Sequence, residues 1–270
     1  MIDSPAPLFE RLLDVMARLR STDGCPWDRE QTRTSLKAYL IEEAYEVVEA
    51  IESGESDAIE EELGDLLFQV VFHARIAEEQ GEFDMARLLR RLVDKMVSRH
   101  PHVFGSVRVG TPGEALQQWE AIKGREAEAT GRRRSVVDGV PRALPALLRA
   151  QRLSSKAARV NFDWPDAPAA WDKVAEEVRE AGEALASGDR ARFAEELGDV
   201  LFSLVNVARL SSLDAEDVLQ SANDKFRRRF AAMEADLVAR GKSVASAGTV
   251  ELERAWERTK FHERAETPPA

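Results

Sequence analysis

Cysteine, tyrosine and histidine are scarce in this chain of 270 residues, with one, two and four copies. The single cysteine, Cys25, excludes an intramolecular disulfide, and its place beside Pro26 and Trp27 favours packing over catalysis. No segment approaches the ~20 consecutive apolar residues of a membrane span. The N-terminus also lacks the apolar core of a secretory signal. We therefore expect a cytoplasmic protein with no membrane partner.

Positive charge is in deficit as well, because 38 Lys and Arg residues face 49 Asp and Glu residues, for a formal net charge of −11. A nucleic-acid polymer is usually bound by a basic face, so we expect no such polymer as a partner. The deficit does not exclude a small anion whose charge is met locally by Lys, Arg or a metal ion. The abundance of Ala, Leu, Glu and Arg favours helices.

The chain repeats itself at an offset of 134 positions. The segment from Glu42 to Arg75 aligns without a gap with the segment from Glu176 to Arg209, and 17 of the 34 pairs are identical. EELGDLLFQVV at 61–71 matches EELGDVLFSLV at 195–205. Composition bias alone does not produce such an alignment, so we expect each half to contain the same structural unit.

Both halves have helical periodicity, and neither has a pattern typical of strands. The sequence predicts an all-α fold with two tandem helical bundle domains. We place the N-terminal domain at 1–130, a Gly- and Pro-containing linker at 131–145 and the C-terminal domain at 146–270. Loops are expected at Gly24–Asp28 and around His100–His102. Helices are predicted at 8–20, and at about 35–53, 57–80, 84–99, 112–128, 144–159, 168–187, 190–210, 214–240 and 250–264.

Carboxylates recur at the spacing that places two side chains on one helix face. The pairs are Glu43 with Glu46, Glu62 with Asp65, Glu177 with Glu180, and Glu196 with Asp199. Two adjacent helices would bring four carboxylates together, and like charges ~4 Å apart repel by about 4 kcal/mol at an effective dielectric near 20. Protonation or cations offset this repulsion, and ligation by oxygen alone suits Mg²⁺, with Mn²⁺ as a substitute.

The choice of ligand within each EExxE motif stays open at this point. Glu43 and Glu46 have the same spacing as Glu62 and Asp65, which is the reason for choosing them. Glu42 lies four residues before Glu46 and is an alternative to Glu43. The same alternative exists between Glu176 and Glu177.

Cations and a tryptophan recur in the same order after the carboxylates of each half. Lys95 and Arg99 are one helical turn apart, and the second half repeats them as Lys225 and Arg229. Lys and Arg beside a divalent metal commonly bind polyphosphate oxygens. A tryptophan followed by lysine one turn later also occurs twice, as Trp119 with Lys123 and as Trp256 with Lys260. We expect these tryptophans to stack on a base or to cap the pocket.

Two other classes of protein carry acidic helical bundles. A di-iron carboxylate bundle normally needs Glu-x-x-His, whereas the third position after Glu is here Glu or Asp. A non-catalytic nucleotide-binding module remains an alternative, distinguished by binding a triphosphate without turnover.

The set of motifs resembles the MazG nucleoside triphosphate pyrophosphohydrolases in their full-length, tandem-domain form. The resemblance rests on EExxE followed by ExxD in both halves and covers nearly the whole chain. The further motifs are GCPWD at 24–28, ELGDLLFQVVFHA at 62–74, RHPHVF at 99–104, NFDW at 161–164 and EELGDVLF at 195–202.

The resemblance implies a homodimeric nucleoside triphosphate diphosphatase with two MazG-like domains, broad base tolerance and a role in clearing unwanted nucleotides. It implies hydrolysis between the α and β phosphates, which yields a nucleoside monophosphate and pyrophosphate. The metal ligands it assigns are Glu177, Glu180, Glu196 and Asp199, and its nucleotide contacts are Lys225, Arg229, Trp256 and Lys260. The second domain is the better supported catalytic one, although the first keeps every counterpart.

The mechanism we expect is metal-assisted hydrolysis, with the cations stabilising charge on the phosphate oxygens and Glu176 acting as base. A narrower enzyme, specific for dUTP or phosphoribosyl-ATP, is the alternative within the same reaction class.

Overall fold

The computed structural model describes residues 4–129 and 135–266, and every regular element in those two ranges is a helix. The chain divides into two compact units, and the boundary between them in the sequence falls between residues 131 and 132. The predicted linker lies in part outside the described residues, which omit 130–134. The exact bounds of the two domains therefore remain a prediction.

The first unit contains seven helices in its described part, and the second contains five. The first unit's helices are α1 (Pro5–Leu19), α2 (Pro26–Glu30), α3 (Lys37–Ser53), α4 (Ser56–Glu79), α5 (Met85–Arg99), α6 (Pro101–Phe104) and α7 (Pro112–Ala129). Those of the second unit are α8 (Ala146–Ala158), α9 (Ala167–Ser187), α10 (Arg190–Leu210), α11 (Ala215–Ala239) and α12 (Thr249–Glu266).

Local sequence signals explain where several helices begin and end. Asp84 and Asp166 cap α5 and α9 by accepting hydrogen bonds from backbone N–H groups in the first turn. The hairpins α3–α4 and α9–α10 both turn at a glycine in the left-handed region, Gly54 with φ 74° and Gly188 with φ 76°. Glycine adopts this conformation without a Cβ clash, so both turns are short and antiparallel.

Two segments that we predicted as loops contain short helices instead. The segment Gly24–Asp28 overlaps α2, and the segment around His100–His102 overlaps α6. Both helices begin with proline. Proline has the φ angle of a helix and lacks an N–H that the first turn would leave unpaired, so it starts a helix where we expected a turn.

The core of the first unit forms where α1 and α5 pack on α4, beside the α3–α4 hairpin. Its buried cluster contains Met16, Leu36, Val71, Phe72 and Ile76. Each such side chain contributes about 1.5–3 kcal/mol by leaving water. The cluster fixes α4, the helix that carries Glu62 and Asp65.

The second unit is organised around two helix pairs, α9 with α10 and α11 with α12, and α8 packs on both α10 and α11. Met233, Leu237 and Ala255 form a buried cluster between α11 and α12. Within the described residues, no helix combines the length and the apolar composition needed to cross a membrane.

Candidate metal and phosphate site

Three carboxylates of the first unit converge between α3 and α4. Glu43, Glu62 and Asp65 each present an oxygen, and these oxygens lie within 4.8 Å of one another. We call them the first carboxylate group. Burial, followed by the charges of Asp65 and Glu46, raises the pKa of Glu43 above its ordinary value. The pKa of Glu62 is raised by loss of hydration, then by the charges of Glu46 and Asp65.

The second unit repeats this arrangement between α9 and α10. Glu177, Glu196 and Asp199 present oxygens within 4.8 Å of one another, and we call them the second carboxylate group. A lysine partly neutralises it, because Lys173 Nζ lies 2.8 Å from Glu177 Oε1 and 2.9 Å from Glu176 Oε1. The hydrogen bond with Glu177, followed by the hydrogen bond with Glu176, is the main cause of the raised pKa of Lys173. Arg192 approaches Glu196 in the same way, at 3.3 Å.

The structure distinguishes between the alternatives within each EExxE motif. Glu43 and Glu177 belong to the carboxylate groups, whereas Glu42 and Glu176 are exposed and lie outside them. Glu177 is only 6% exposed. Of the helix partners we predicted, Glu46 is near enough to raise two pKa values, as described above. Glu180 lies outside the triplet and pairs with Arg179 at 3.0 Å. The ligand roles of Glu46 and Glu180 remain predictions.

The residues of both groups fit a hard divalent cation. Each group offers only oxygen ligands at mutual distances that one ion spans, and neither contains His or Cys. Loss of hydration, followed by the charges of the neighbouring carboxylates, raises the pKa values of Glu43 and Glu62. A cation at this point would offset the repulsion among these charges.

The predicted phosphate-binding cations lie on other helices of each unit. Arg99 on α5 stacks over the ring of Trp119 on α7, with its guanidinium carbon 5.7 Å from the ring centroid. Trp256 on α12 contacts Phe226 at 5.4 Å between ring centroids. Lys123 pairs with Glu120 at 3.4 Å, and Lys260 pairs with Glu257 at 2.5 Å.

The cations and the carboxylate groups are not joined within a unit. Across residues 4–129 and 135–266, no ion pair connects Lys95 or Arg99 with the first group, or Lys225 or Arg229 with the second. Lys95 and Lys225 have exposed side chains. We call the carboxylate group of each unit its carboxylate half-site, and the Lys, Arg and Trp side chains on the other helices its cation–tryptophan half-site.

The family model of the MazG nucleotide pyrophosphohydrolase domain matches this chain twice, at residues 31–104 and 169–232. Both matches contain one carboxylate group and the Lys–Arg pair that follows it. The chain belongs to the MazG family. This result confirms the resemblance seen in the sequence, together with the all-α fold and the hydrolase class.

Two full-length MazG relatives are similar over nearly the whole chain. The nucleoside triphosphate pyrophosphohydrolase of Escherichia coli K12 is 43% identical over 260 residues, which cover 94% of this chain and 98% of that protein. The nucleoside triphosphate pyrophosphohydrolase/pyrophosphatase MazG of Thermotoga maritima is 43% identical over 254 residues, which cover 94% and 96%. The tandem organisation therefore extends through both relatives.

Two side chains of this MazG chain that contact the carboxylates were not identified in the sequence analysis. Lys173 was not singled out, although it lies three and four residues before Glu176 and Glu177, the spacing of neighbours on a helix. Gln69 donates from Nε2 to Glu43 Oε1 at 3.4 Å. Its position seven residues after Glu62 places it on the same face of α4, a signal that was visible in the sequence.

Proposed function

We propose that this MazG chain hydrolyses nucleoside triphosphates between the α and β phosphates, releasing a nucleoside monophosphate and pyrophosphate. The observation that carries the proposal is the triplet of convergent carboxylates, which two helix hairpins form independently in one chain. The names of the relatives from E. coli and T. maritima point to the same reaction. Broad base tolerance and clearance of unwanted nucleotides belong to the proposal.

In this proposal Glu177, Glu196 and Asp199 hold the divalent metal, Mg²⁺ or its substitute Mn²⁺, with Glu180 completing the set. A bound divalent cation supplies neutralisation of the triphosphate charge and a water of lowered pKa. Glu177, the most buried of the three, is fixed in place by Lys173. Glu176, which also accepts from Lys173, receives the proton of the attacking water. In the first unit Glu43, Glu46, Glu62 and Asp65 have the same role.

The cation–tryptophan half-sites bind the substrate in this scheme. Arg229, Lys225 and Lys260 stabilise charge on the phosphate oxygens, and Trp256 stacks on the base or caps the pocket. Lys95, Arg99, Trp119 and Lys123 are their counterparts in the first unit. Fixed donors of this kind contribute most when they require no rearrangement as charge develops.

Because the two half-sites of each unit lie on different helices, a homodimer can combine the carboxylates of one copy with the cations of the other. Large apolar side chains flank both carboxylate hairpins in exposed positions, including Ile51 at 58%, Leu63 at 50% and Leu201 at 50%. Large exposed apolar side chains that gather on one helix hairpin are typical of an interface. We propose that a second copy of the chain covers these faces and supplies the cation half-site. Analytical ultracentrifugation checks this, because a strictly monomeric active enzyme contradicts it.

The deciding experiment measures pyrophosphate release from Mg²⁺-loaded full-length protein. Asp199→Asn removes one oxygen charge from the second group, and we expect a loss of at least ~10²-fold in kcat. Asp199→Asn combined with Asp65→Asn should remove the remaining pyrophosphate release. Glu195→Gln is the matched control, because Glu195 is exposed, adjacent to Glu196 and outside the group. Full activity in the double variant would exclude both carboxylate groups as the site of hydrolysis.

Substrate breadth is tested with a panel of canonical, deoxy and oxidised nucleoside triphosphates, with phosphoribosyl-ATP as an additional compound. Comparable kcat/KM values across several bases support the broad enzyme. Activity confined to dUTP or to phosphoribosyl-ATP establishes the narrower one. Nucleotide binding without any turnover identifies a binding module.

A further inference from the structure

An aromatic pair joins α2 to the first turn of α3, one turn before Glu43 of the first carboxylate group. The rings of Trp27 on α2 and Tyr39 on α3 meet edge to face, with centroids 5.7 Å apart and an interplanar angle of 85°. Trp27 is 49% exposed and Tyr39 is 38% exposed. An edge-to-face contact uses the edge of one ring and one face of the other, so the remaining ring faces stay open for a further stacking partner.

The pair is placed at the carboxylate group by the geometry of α3. Tyr39 precedes Glu43 by four residues, so both side chains lie on the same face, about one turn or ~6 Å apart along the helix axis. Gln69 of α4 contacts Glu43 from the other side of the hairpin, through the 3.4 Å hydrogen bond already described. Aromatic, acidic and amide groups are therefore contiguous.

Buried polar atoms at the same place have no partner. Gln69 is only 7% exposed, and its Oε1 has no hydrogen-bond partner among the described residues. The next turn of α4 carries His73, whose Nε2 is buried and likewise unpartnered within that part of the chain. Buried polar side-chain atoms are nearly always hydrogen-bonded, so each exception needs a physical explanation. The polar edge of a ligand beside Gln69 would provide it.

The second unit differs at each of these positions. The residues 134 positions after Tyr39, Gln69 and His73 are Lys173, Ser203 and Val207. Lys173 forms ion pairs with Glu176 and Glu177. The combination of ring surface and unpartnered amide is thus a feature of the first unit, in a hairpin that otherwise repeats.

We infer that the first unit contains its own nucleotide-binding site, in which Trp27 and Tyr39 stack on the base and Gln69 hydrogen-bonds its edge. The ligand class is an aromatic base linked to a metal-chelated polyphosphate. The inference rests on the proposed function, because the first carboxylate group must hold the cation that the phosphates chelate. The inference extends the proposed function by assigning base recognition to residues of α2, α3 and α4. The base selectivity of the first unit would then differ from that of the second unit.

Calorimetric titration of the full-length protein in Mg²⁺ tests the inference. The background carries Glu196→Gln and Asp199→Asn, so binding reports on the first unit. The two probes are a nonhydrolysable nucleoside triphosphate and inorganic tripolyphosphate, which lacks a base. We expect Trp27→Ala and Tyr39→Ala each to weaken nucleotide binding by roughly 10-fold, the range of one base-stacking contact, and to change tripolyphosphate binding by less than about 2-fold.

Two further variants keep the outcome interpretable. Tyr45→Ala is the matched control, because Tyr45 is the other tyrosine of the chain, lies on α3 and is 49% exposed. It should leave both probes unchanged. Gln69→Met should reduce the differences in affinity among the four bases while tripolyphosphate binding stays the same.

Each outcome decides a different point. Equal affinities of nucleotide and tripolyphosphate in the background protein, or equal losses of both in Trp27→Ala, overturn base recognition and leave the hydrolysis at the second unit intact. Absence of tripolyphosphate binding, or its persistence in Asp65→Asn, contradicts the metal role of the first group itself.

Discussion

Arg229 on α11 donates from Nε to Glu263 Oε2 on α12, at 2.5 Å. The first unit contains the same pair, because Arg99 on α5 donates to Glu126 on α7, with Nη2 and Oε2 also 2.5 Å apart. In both units the glutamate follows the tryptophan by seven residues. Hydrogen bonding from Arg99, followed by its charge, lowers the pKa of Glu126. Each predicted phosphate-binding arginine is therefore held across two helices.

The Arg229 pair yields the first prediction. The rigid fork of a guanidinium binds a carboxylate on one side and leaves donors for a phosphate, which a lysine ammonium does not reproduce. We expect Arg229→Ala to lower kcat/KM by roughly 10²-fold and Arg229→Lys by roughly 10-fold. Steady-state pyrophosphate release measures both. Arg227→Ala is the control, because Arg227 lies two residues away with its side chain 82% exposed. Full recovery of activity in Arg229→Lys would show that charge alone is sufficient.

The first carboxylate group yields a prediction about stability. A carboxyl whose pKa is raised by folding binds its proton more tightly in the folded state, so its ionisation opposes folding once the pH exceeds the ordinary pKa of 4.5. We expect Glu43→Gln to raise the metal-free Tm near neutral pH by about 2 °C, a modest effect because solvent screens these partly exposed groups. The gain should vanish below about pH 4, where the wild-type carboxyl is protonated.

The same variant should respond less to metal. Wild-type Tm should rise on addition of Mg²⁺, because an ion that binds only the folded state stabilises it. Glu43→Gln should show a smaller rise in scanning calorimetry with and without EDTA, and Glu42→Gln a normal one. An undiminished rise in Glu43→Gln would assign the metal to other ligands.

The repeat and the helical spacing predicted much of this architecture. They located ten of the helices close to their observed positions and placed Glu62 beside Asp65 and Glu196 beside Asp199. These relationships are local, because a helix fixes which residues share its face. The same spacing favoured Glu43 over Glu42 without excluding Glu42, since that choice depends on the angle at which α3 faces α4. The burial of Glu177 by its neighbours also follows from packing between helices.

The partners of the two arginines were not predictable either. The order of carboxylates, cations and tryptophan along the chain suggested one pocket in each half, yet order does not determine which helix faces meet. Arg229 meets Glu263 rather than the second carboxylate group. The short helices α2 and α6 were missed because a proline was read as the end of helical structure, not as the first residue of a helix.

A glycine beside a proposed metal ligand yields the fourth prediction. Gly198 lies inside α10 between Leu197 and Asp199, and a Cβ added there meets no atom within 4 Å among the described residues. Glycine costs a helix about 1 kcal/mol relative to alanine. We expect Gly198→Ala to stabilise the isolated chain by about 0.5–1 kcal/mol in urea unfolding. If the proposed second copy packs on this face, the same variant weakens the dimer and lowers activity. Gly64→Ala is the equivalent change in the first unit.

An ion pair in the first unit yields the last prediction. The guanidinium of Arg20, which is 8% exposed, donates to both oxygens of Glu79 at 2.7–3.0 Å and lies 5.4 Å from the ring centroid of Phe72. Hydrogen bonding from Arg20 is the largest cause of the lowered pKa of Glu79, and Arg75 adds to it. A carboxyl with a lowered pKa stabilises the fold above its ordinary value of 4.5 and loses that contribution as the pH falls through the folded pKa.

Glu79→Gln should therefore cost about 2 kcal/mol of unfolding free energy at neutral pH, since it leaves a largely buried guanidinium without its counter-charge. The difference from wild type should shrink toward zero as the pH falls below 4.5 and through the lowered folded pKa of Glu79, because both proteins then have a neutral side chain at this position. Glu78→Gln is the control, since Glu78 pairs with Arg75 and its side chain is 52% exposed. It should cost at most about 0.5 kcal/mol at any pH. Urea unfolding at several pH values measures the stability of both variants. If the loss of unfolding free energy in Glu79→Gln stays constant with pH, its cause is packing and not charge.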